Sequence, residues 1–369
     1  MKATCNRDEL LSAFQTVSAV VPARSPKPIL MSVKLVAQNS GVMLLATDLE
    51  VGIRCQVSGV EVGSTGQVVL PTARMLAILR ESTDQVLHIE TGENKTTIRG
   101  QRSRFQLTSE APEEYPEVPD FTDEKYHSIS STLLRTMIRR TVFATDVEST
   151  RYALNGLLIE LEGNKISLVG TDGRRLAVVR GTATPVGGHS TRDFTPVVPT
   201  KAMNLVDRTL QEEEEVHVAL QANRAVVRSK RAVISSRLVE GRFPRYQEVF
   251  PSRSDITVPL NVRDLLQAVR QAMIVTSEES RGVDFAFSDG KLTLAAHAAD
   301  VGESLVELPI AFDSKDLTIT FDPRYLVDML RVLNEESTVS LDLIDHQSAA
   351  VFKTDDGYTY IVMPLTRER

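Results

Sequence analysis

The chain has 369 residues, 42% of them hydrophobic and 5% aromatic, with two cysteines, six histidines and a formal net charge of −7. That length is more than one ordinary core, since domains run about 100–150 residues, and the apolar content is enough for packed cores throughout. The acidic balance argues against a protein that simply coats nucleic acid, and no apolar stretch is long enough to span a bilayer.

In chain order, Asn6-Arg7-Asp8-Glu9-Leu10-Leu11 reads as a helix start, its Asn suited to accept the orphan N–H bonds of a first turn. Residues 41–48 alternate as a strand ending on Thr47-Asp48, and Val69-Leu70-Pro71-Thr72-Ala73-Arg74-Met75-Leu76 reads as an extended run, a proline and an amphipathic second helix. Strands follow over residues 97–108, and the Pro-rich acidic stretch 111–120 predicts a short extended linker. The order then returns. Ser130-Ser131-Thr132-Leu133-Leu134-Arg135 opens a helix, residues 165–172 form a strand ending on Thr171-Asp172, Val198-Pro199-Thr200-Lys201-Ala202-Met203-Asn204-Leu205 carries a second helix, and residues 225–239 close on strands before the Pro-rich segment 242–251. A third pass runs through Asn261-Val262-Arg263-Asp264-Leu265-Leu266, a weaker strand over 291–297, Phe321-Asp322-Pro323-Arg324-Tyr325-Leu326-Val327-Asp328 and strands over 349–364.

A period of roughly 125 residues is too long for a solenoid and right for a whole domain. The expectation is one α+β domain copied three times, over residues 1–122, 123–252 and 253–369, each copy two helices packed on antiparallel sheets.

Catalytic machinery is not apparent. There is no P-loop, dinucleotide glycine fingerprint or nucleophile elbow. His88, His127, His189, His217, His297 and His346 are scattered singly, with no two at ligand spacing, so neither metal nor other cofactor is expected. Cys5 and Cys55 also lack metal spacing and read as buried free thiols, a disulfide being the alternative. Thr47-Asp48 and Thr171-Asp172 hold matching places in two copies, where a turn with Asp accepting backbone N–H bonds explains them better than a carboxylate site. The chain opens on Met1-Lys2-Ala3 with no signal-peptide run, which points to the cytoplasm.

Charge is unevenly arranged. Residues 10–47 hold no acid but carry Arg24, Lys27 and Lys34; residues 125–145 hold none but carry Arg135, Arg139 and Arg140. On a helical wheel Leu134, Met137, Ile138 and Thr141 share one side and the three arginines the other. A solvated face is the alternative, but Arg74 with Arg80, Lys201 with Arg208 and Arg324 with Arg331 repeat the basic pair on the second helix of each copy.

The chain resembles the β subunit of bacterial DNA polymerase III, the sliding clamp, over essentially its full length. The matching segments are Pro28-Ile29-Leu30, Thr47-Asp48-Leu49-Glu50, Ser103-Arg104-Phe105, Leu154-Asn155-Gly156, Thr171-Asp172-Gly173-Arg174-Arg175-Leu176-Ala177, Leu238-Val239-Glu240-Gly241-Arg242-Phe243-Pro244, Arg281-Gly282-Val283 and Val362-Met363-Pro364. Their order and spacing together are specific. The resemblance implies the DNA-clamp architecture, a ring-shaped head-to-tail homodimer that encircles double-stranded DNA without sequence preference and tethers the replicative polymerase, the clamp loader and other proteins bearing a clamp-binding motif, without catalysis of its own. Carried over residue by residue, it implies DNA contacts at Arg24, Arg74, Arg80, Arg135, Arg139, Arg151, Tyr152, Lys201 and Arg208. It implies a peptide pocket at Leu154, Thr171, Gly173, Arg174, Arg175, Leu176, Pro244, Val249, Val362, Met363, Pro364 and Leu365, with ordinary core packing as the alternative for Leu176, Val249 and Val362. The dimer interface it implies joins Arg74, Ile78, Phe105 and Leu107 to Ile274 and Val275. Two departures stand out: Glu248 where the family has Arg, which bears on a peptide contact, and Ala153 where a second aromatic is expected beside the DNA-facing turn. A repeat scaffold that binds only proteins is the alternative function; it would have no basic lining.

Overall fold

The computed structural model describes residues 1–146, 148 and 153–365. Among the described residues six α-helices, α1 (Arg7–Ser18), α2 (Thr72–Glu81), α3 (Ser131–Arg139), α4 (Thr200–Thr209), α5 (Val262–Ala272) and α6 (Pro323–Leu330), come two to each sequence repeat. Asn6 Oδ1 accepts the N–H bonds of Asp8 and Glu9 at 3.0 and 3.2 Å, and Asn261 Oδ1 accepts that of Asp264 at 3.1 Å, so α1 and α5 start on the expected caps. At α3 the ties run through Ser131: its N–H donates to Glu214 O at 2.9 Å and its hydroxyl accepts Glu214 N–H at 3.1 Å. The second helices α2 and α4 begin after Pro71 and Pro199 with no side-chain cap. Leu10, Ala13, Phe14 and Val17 form the buried stripe of α1, which packs against α2; α5 packs in the same way against α6.

The chain forms two compact units, residues 1–135, 162–164 and 183–238 in the first, the remainder in the second, so the middle repeat contributes to both. In the first unit a five-stranded sheet runs Val60–Ser64, Lys2–Asn6, Val86–Thr91, Lys95–Arg99, Arg104–Thr108, ending on the last as an edge. A nine-stranded sheet runs Thr184–Val186, Tyr126–Ser130, Glu215–Leu220, Arg224–Arg228, Ala232–Arg237, Val51–Val57, Gly41–Thr47, Ser32–Gln38, Gly66–Pro71. In the second unit the order is Gly156–Glu162, Lys165–Thr171, Arg175–Thr182, Tyr358–Val362, Ala350–Lys353, Thr338–Leu343, Ile256–Asn261. A four-stranded sheet there runs Gly302–Pro309, Lys291–Ala298, Val283–Ser288, Leu317–Phe321. Two ladders join strands of different repeats: Val51 opposite Ser236 in the first unit and Arg175 opposite Val362 in the second. The repeats are thus welded by backbone hydrogen bonds, which explains why compactness does not divide the chain at the sequence period.

The segment read as a linker is part of the core. Tyr115, Val118 and Phe121 are buried, Tyr115 and Val118 packing with Leu45 and Val69, while the Tyr115 hydroxyl donates to Ser32 O at 3.0 Å. Burial pushes that phenol well above its ordinary range. Tyr115 and Val118, three residues apart, share the face of Leu45 and Val69, while Phe121 packs with Ala219 and Val226. Cys5 and Cys55 are free buried thiols, and burial pushes the Cys5 thiol up to about 12.

The histidines are less scattered than their spacing suggests. His127 and His189, both buried, meet with Nδ1 atoms 2.7 Å apart; His127 Nε2 lies 3.0 Å from Gly163 O, and His189 Nε2 lies 3.1 Å from Leu220 N and 3.0 Å from Leu220 O. A neutral pair satisfies this network: His189 Nδ1–H donates to His127 Nδ1, His127 Nε2–H donates to Gly163 O, and Leu220 N–H donates to His189 Nε2. The signal was a strand pairing, Pro185 opposite His127, that single-residue spacing does not carry.

Burial lowers the His127 pKa below its ordinary value, with His189 adding to the shift and the Gly163 carbonyl opposing it. A pKa lower in the folded than in the unfolded state contributes stability that is present above about 6.5 and lost as pH falls through the folded value. Urea unfolding followed from pH 7.5 to 5 is expected to show a midpoint falling below about pH 6.5, and the double variant His127→Leu, His189→Leu is expected to flatten that fall. An unchanged pH slope in the variant sinks the assignment.

Candidate functional site

Two copies of one turn organise the surfaces of interest. In the first unit Thr47 Oγ1 donates to Val51 O at 3.0 Å and accepts Leu49 N–H at 3.0 Å, while Asp48 Oδ1 accepts the N–H bonds of Glu50 and Val51 at 3.0 and 2.7 Å. In the second, Thr171 Oγ1 donates to Arg175 O at 2.6 Å and accepts Gly173 N–H at 3.1 Å, while Asp172 Oδ1 accepts those of Arg174 and Arg175 at 2.9 and 3.0 Å. The third residue is left-handed in both, Leu49 at φ 80° and Gly173 at φ 87°. The Asp carboxylates are therefore structural, as their repeated placement predicted.

Arg175, immediately after its turn, is the most heavily engaged side chain here. It donates to Asp172 Oδ2 at 2.9 Å, to Asp328 Oδ2 on α6 at 2.7 Å and to Phe143 O at 2.8 Å, and its guanidinium lies 4.6 Å from the Tyr325 ring centroid. A planar fork with five donors is the side chain that can hold three such partners at once. Arg140 is tied similarly, 2.7 Å from Asp356 Oδ2 and over the Tyr358 ring. The expectation of one cationic face shared by Arg135, Arg139 and Arg140 thus holds only in part: Arg140 is taken up by a carboxylate distant in sequence and adjacent in the fold, and Arg135 is half-buried against Leu210 O.

The residues implied for a peptide pocket divide into framework and surface. Leu154, Thr171, Leu176 and Val362 are buried. Val249 and Met363, 45% and 42% exposed, are instead left open to solvent. Gly173 and Arg174 are exposed, and Pro244, Arg175, Pro364 and Leu365 are partly so. The strand end is fastened beside the turn: Leu176 stands opposite Ile361, and Met363 N–H donates to Arg174 O at 2.9 Å. A Cβ added to Gly173 would meet nothing within 4 Å, so open space adjoins the turn. Nearby, Tyr246 donates to Glu160 Oε2 at 2.6 Å and its phenol is pushed up by burial and by that carboxylate. Of the departures, Glu248 is exposed and pairs with Arg245 at 3.2 Å, and Ala153 is fully buried with its N–H on Arg242 O at 3.4 Å.

Of the basic residues, Arg24, Arg74, Arg80, Arg139 and Arg208 are exposed. Arg135 is half-buried, donating to Leu210 O and standing 3.9 Å from Asp207, and Lys201 pairs with Asp48 Oδ2 at 2.5 Å. Arg151 and Tyr152 lie outside the described residues. For the implied interface, Ile274 is 74% exposed, Val275, Phe105 and Leu107 are partly buried, Arg74 is exposed and Ile78 is buried. Sequence reasoning missed Leu305, 70% exposed, and Val301, 53%. Leu305 sits on the edge strand Gly302–Pro309, whose alternating pattern was readable but whose edge position was not. Among the described residues no cluster of three or more His, Cys, Asp or Glu side chains is placed to hold a metal ion, and no helix is long and apolar enough to cross a membrane.

Three family models match in succession: the N-terminal, central and C-terminal domains of the DNA polymerase III beta subunit, over residues 1–119, 128–245 and 247–366. The chain is 31% identical over 368 residues to the beta sliding clamp of Pseudomonas aeruginosa, covering 99% of this chain and 100% of that one. It is 29% identical over 366 residues to the beta sliding clamp of Chlamydia muridarum, covering 99% of each. The crystal structure of the DNA polymerase III subunit beta from Pseudomonas aeruginosa superposes with a TM-score of 0.91 over all of both chains at 30% identity.

Removing the guanidinium of Arg175 strands two carboxylates in partly buried places. Arg175→Ala is expected to lower unfolding free energy by about 3 kcal/mol, and Arg175→Lys to recover less than half of that because an ammonium cannot span the three acceptors. Equal stability of Lys variant and parent in a denaturant titration contradicts the fork assignment.

Proposed function

From the premise that the chain belongs to the DNA polymerase III beta subunit family, the sliding clamps, we propose a specific division of labour among its surfaces. The single observation that carries the reading is that the three domain models of one family follow in order along the chain. The protein is a processivity factor of DNA replication and a non-catalytic accessory subunit of the polymerase; a protein-only scaffold is not favoured. It acts in the cytoplasm, and its functional domains are residues 1–122, 123–252 and 253–369.

Two subunits close head to tail. Within each unit the repeats join strand edge to strand edge, and the edges left at Arg104–Thr108 and Gly302–Pro309 pair in the same manner between subunits, with Ile274 and Leu305 covered on closure. Leaving both as open edges in a 369-residue protein invites uncontrolled association. Arg24, Arg74, Arg80, Arg135, Arg139, Arg151, Tyr152, Lys201 and Arg208 face the encircled duplex. Their attraction to phosphate is sequence-independent and screened, so topology supplies the hold while weak contacts permit sliding. Asp48 holds Lys201 in the protein alone, so its phosphate contact competes with that pair. Clients, including the polymerase and the clamp loader, place a short apolar peptide against Met363 and Val249, beside the Thr171 to Arg175 turn.

Replacing Ile274 and Leu305 by Glu is expected to give folded monomers in light scattering that are no longer retained on circular duplex; a retained dimer contradicts the closure. Arg139→Ala and Arg24→Ala are expected to lower the salt slope of binding to end-blocked duplex by about 0.9 per lost phosphate contact on any sequence. Met363→Ala is expected to weaken an apolar-aromatic clamp-binding peptide from about micromolar affinity by about tenfold or more with dimerisation unchanged, and calorimetry showing parental affinity places the pocket elsewhere.

A further inference from the structure

The two internal junctions can be laid over one another residue by residue. Thr47 to Arg54 corresponds to Thr171 to Val178, Ser236 opposite Val51 corresponds to Val362 opposite Arg175, and Arg237 N–H on Glu50 O at 2.9 Å corresponds to Met363 N–H on Arg174 O at 2.9 Å. The segments that follow the joined sheets also correspond: Tyr115-Pro116-Glu117-Val118-Pro119 repeats as Tyr246-Gln247-Glu248-Val249-Phe250-Pro251, with one residue inserted before the last proline. Both tyrosines are buried.

One pair of positions breaks the likeness. Where the second junction has Leu176, the first has Gly52, and a Cβ built on Gly52 would lie 3.0 Å from Val118 Cγ1 and 2.9 Å from Ser235 Oγ. Val118 is 2% exposed, whereas its counterpart Val249 is 45% exposed. The absence of a side chain at Gly52 is what lets the valine lie against the strand, and Gly52 has no positive φ that would call for glycine on backbone grounds. At the second junction the corresponding position carries the buried Leu176, and Val249 is exposed. Arg54 then holds the closed segment down, donating to Val118 O at 3.0 Å and pairing with Asp120 at 3.3 Å.

We propose that the first junction is a closed counterpart of the peptide site, occupied from within by Val118 over Gly52, and that Leu176 keeps the second junction open by holding Val249 off the strand. The inference rests on the peptide-site reading for its functional meaning, but its structural content is independent of it. The ligand excluded at the first junction is of the same class, an apolar-aromatic peptide, and its place is taken by the chain's own Tyr115 to Pro119 segment. Leu176 is on this reading a positioning residue: it acts on the peptide through Val249.

Thiol accessibility separates the two levels. With Cys5 and Cys55 replaced by Ala, a single Val118→Cys is expected to react slowly with a maleimide, and adding Gly52→Leu is expected to speed it by about tenfold or more in protein that remains cooperatively folded. Conversely, Val249→Cys is expected to react quickly, and adding Leu176→Gly to slow it by a similar factor. If Gly52→Leu does not fold, the Val249→Cys arm decides alone, and unchanged reactivity there overturns the proposal. Calorimetry with the peptide gives the functional arm: one peptide per parent chain and a second, weaker one in Gly52→Leu or Val118→Ala. Rates that shift as expected without any peptide binding to the parent refute the peptide site and leave the closure standing; unchanged rates with one peptide bound to the parent do the reverse.

Discussion

Edge-to-edge strand pairing between repeats is the constraint from which the remaining features follow. A 120-residue α+β repeat ends in strands with unsatisfied N–H and C=O groups on one side, and each such group left dry costs about 1–3 kcal/mol. Here the strand after a Thr-Asp turn is matched to the final strand of the next repeat, Val51–Val57 with Ala232–Arg237 and Arg175–Thr182 with Tyr358–Val362. The turn matters because it sets where that strand begins. Four hydrogen bonds between the backbone and the side chains of one Thr and one Asp, one donated by the Thr hydroxyl and three accepted, hold the chain in a reversal tight enough to bring the next strand back in register. Leu49 accepts a left-handed conformation to preserve the same reversal where no glycine is present.

Once the ladder exists, side chains at its ends are brought against elements far away in sequence. Arg175 and Asp328 are 153 residues apart, and Arg140 and Asp356 are 216 apart, yet both pairs stand at 2.7 Å. Their burial makes the geometry demanding: an arginine in such a place is stabilising only with all its acceptors present, so the pairs specify alignment more than they add stability. The same ladder end delivers Met363 to the side of the turn, where its side chain is 42% exposed.

What could be read from the sequence is what depends on neighbours in the chain. Caps at Asn6 and Asn261, prolines ahead of second helices, the buried stripe of α1 and the Asp turns all follow from residues within about one helical turn of each other, where local chemistry decides. What could not be read depends on which strands meet. His127 and His189 look solitary until the strand Tyr126–Ser130 pairs with Thr184–Val186. The acidic, Pro-rich composition of residues 111–120 hides Tyr115 and Val118, whose burial needs the face built by Leu45 and Val69. The Arg140 misreading has the same origin, since a helical wheel knows one helix and not the Asp356 beside it.

Repeated domains carry an inherent difficulty: copying the domain copies its junctions, and a binding site built at one junction is latent at the others. A protein whose clients must exchange at one place gains from having few such places, because extra weak sites would hold clients where they cannot act. Two side-chain positions are enough to break the equivalence. With glycine at residue 52 the linker valine descends and the junction is filled by the chain itself; with leucine at residue 176 the valine is held off and an apolar rim stays exposed. The energetic difference is one buried side chain, about 1.5–3 kcal/mol, which is enough to make either state dominant and small enough to be reached by few substitutions. Asymmetry of function can thus arise on a symmetric frame without altering the ladder that holds the frame together.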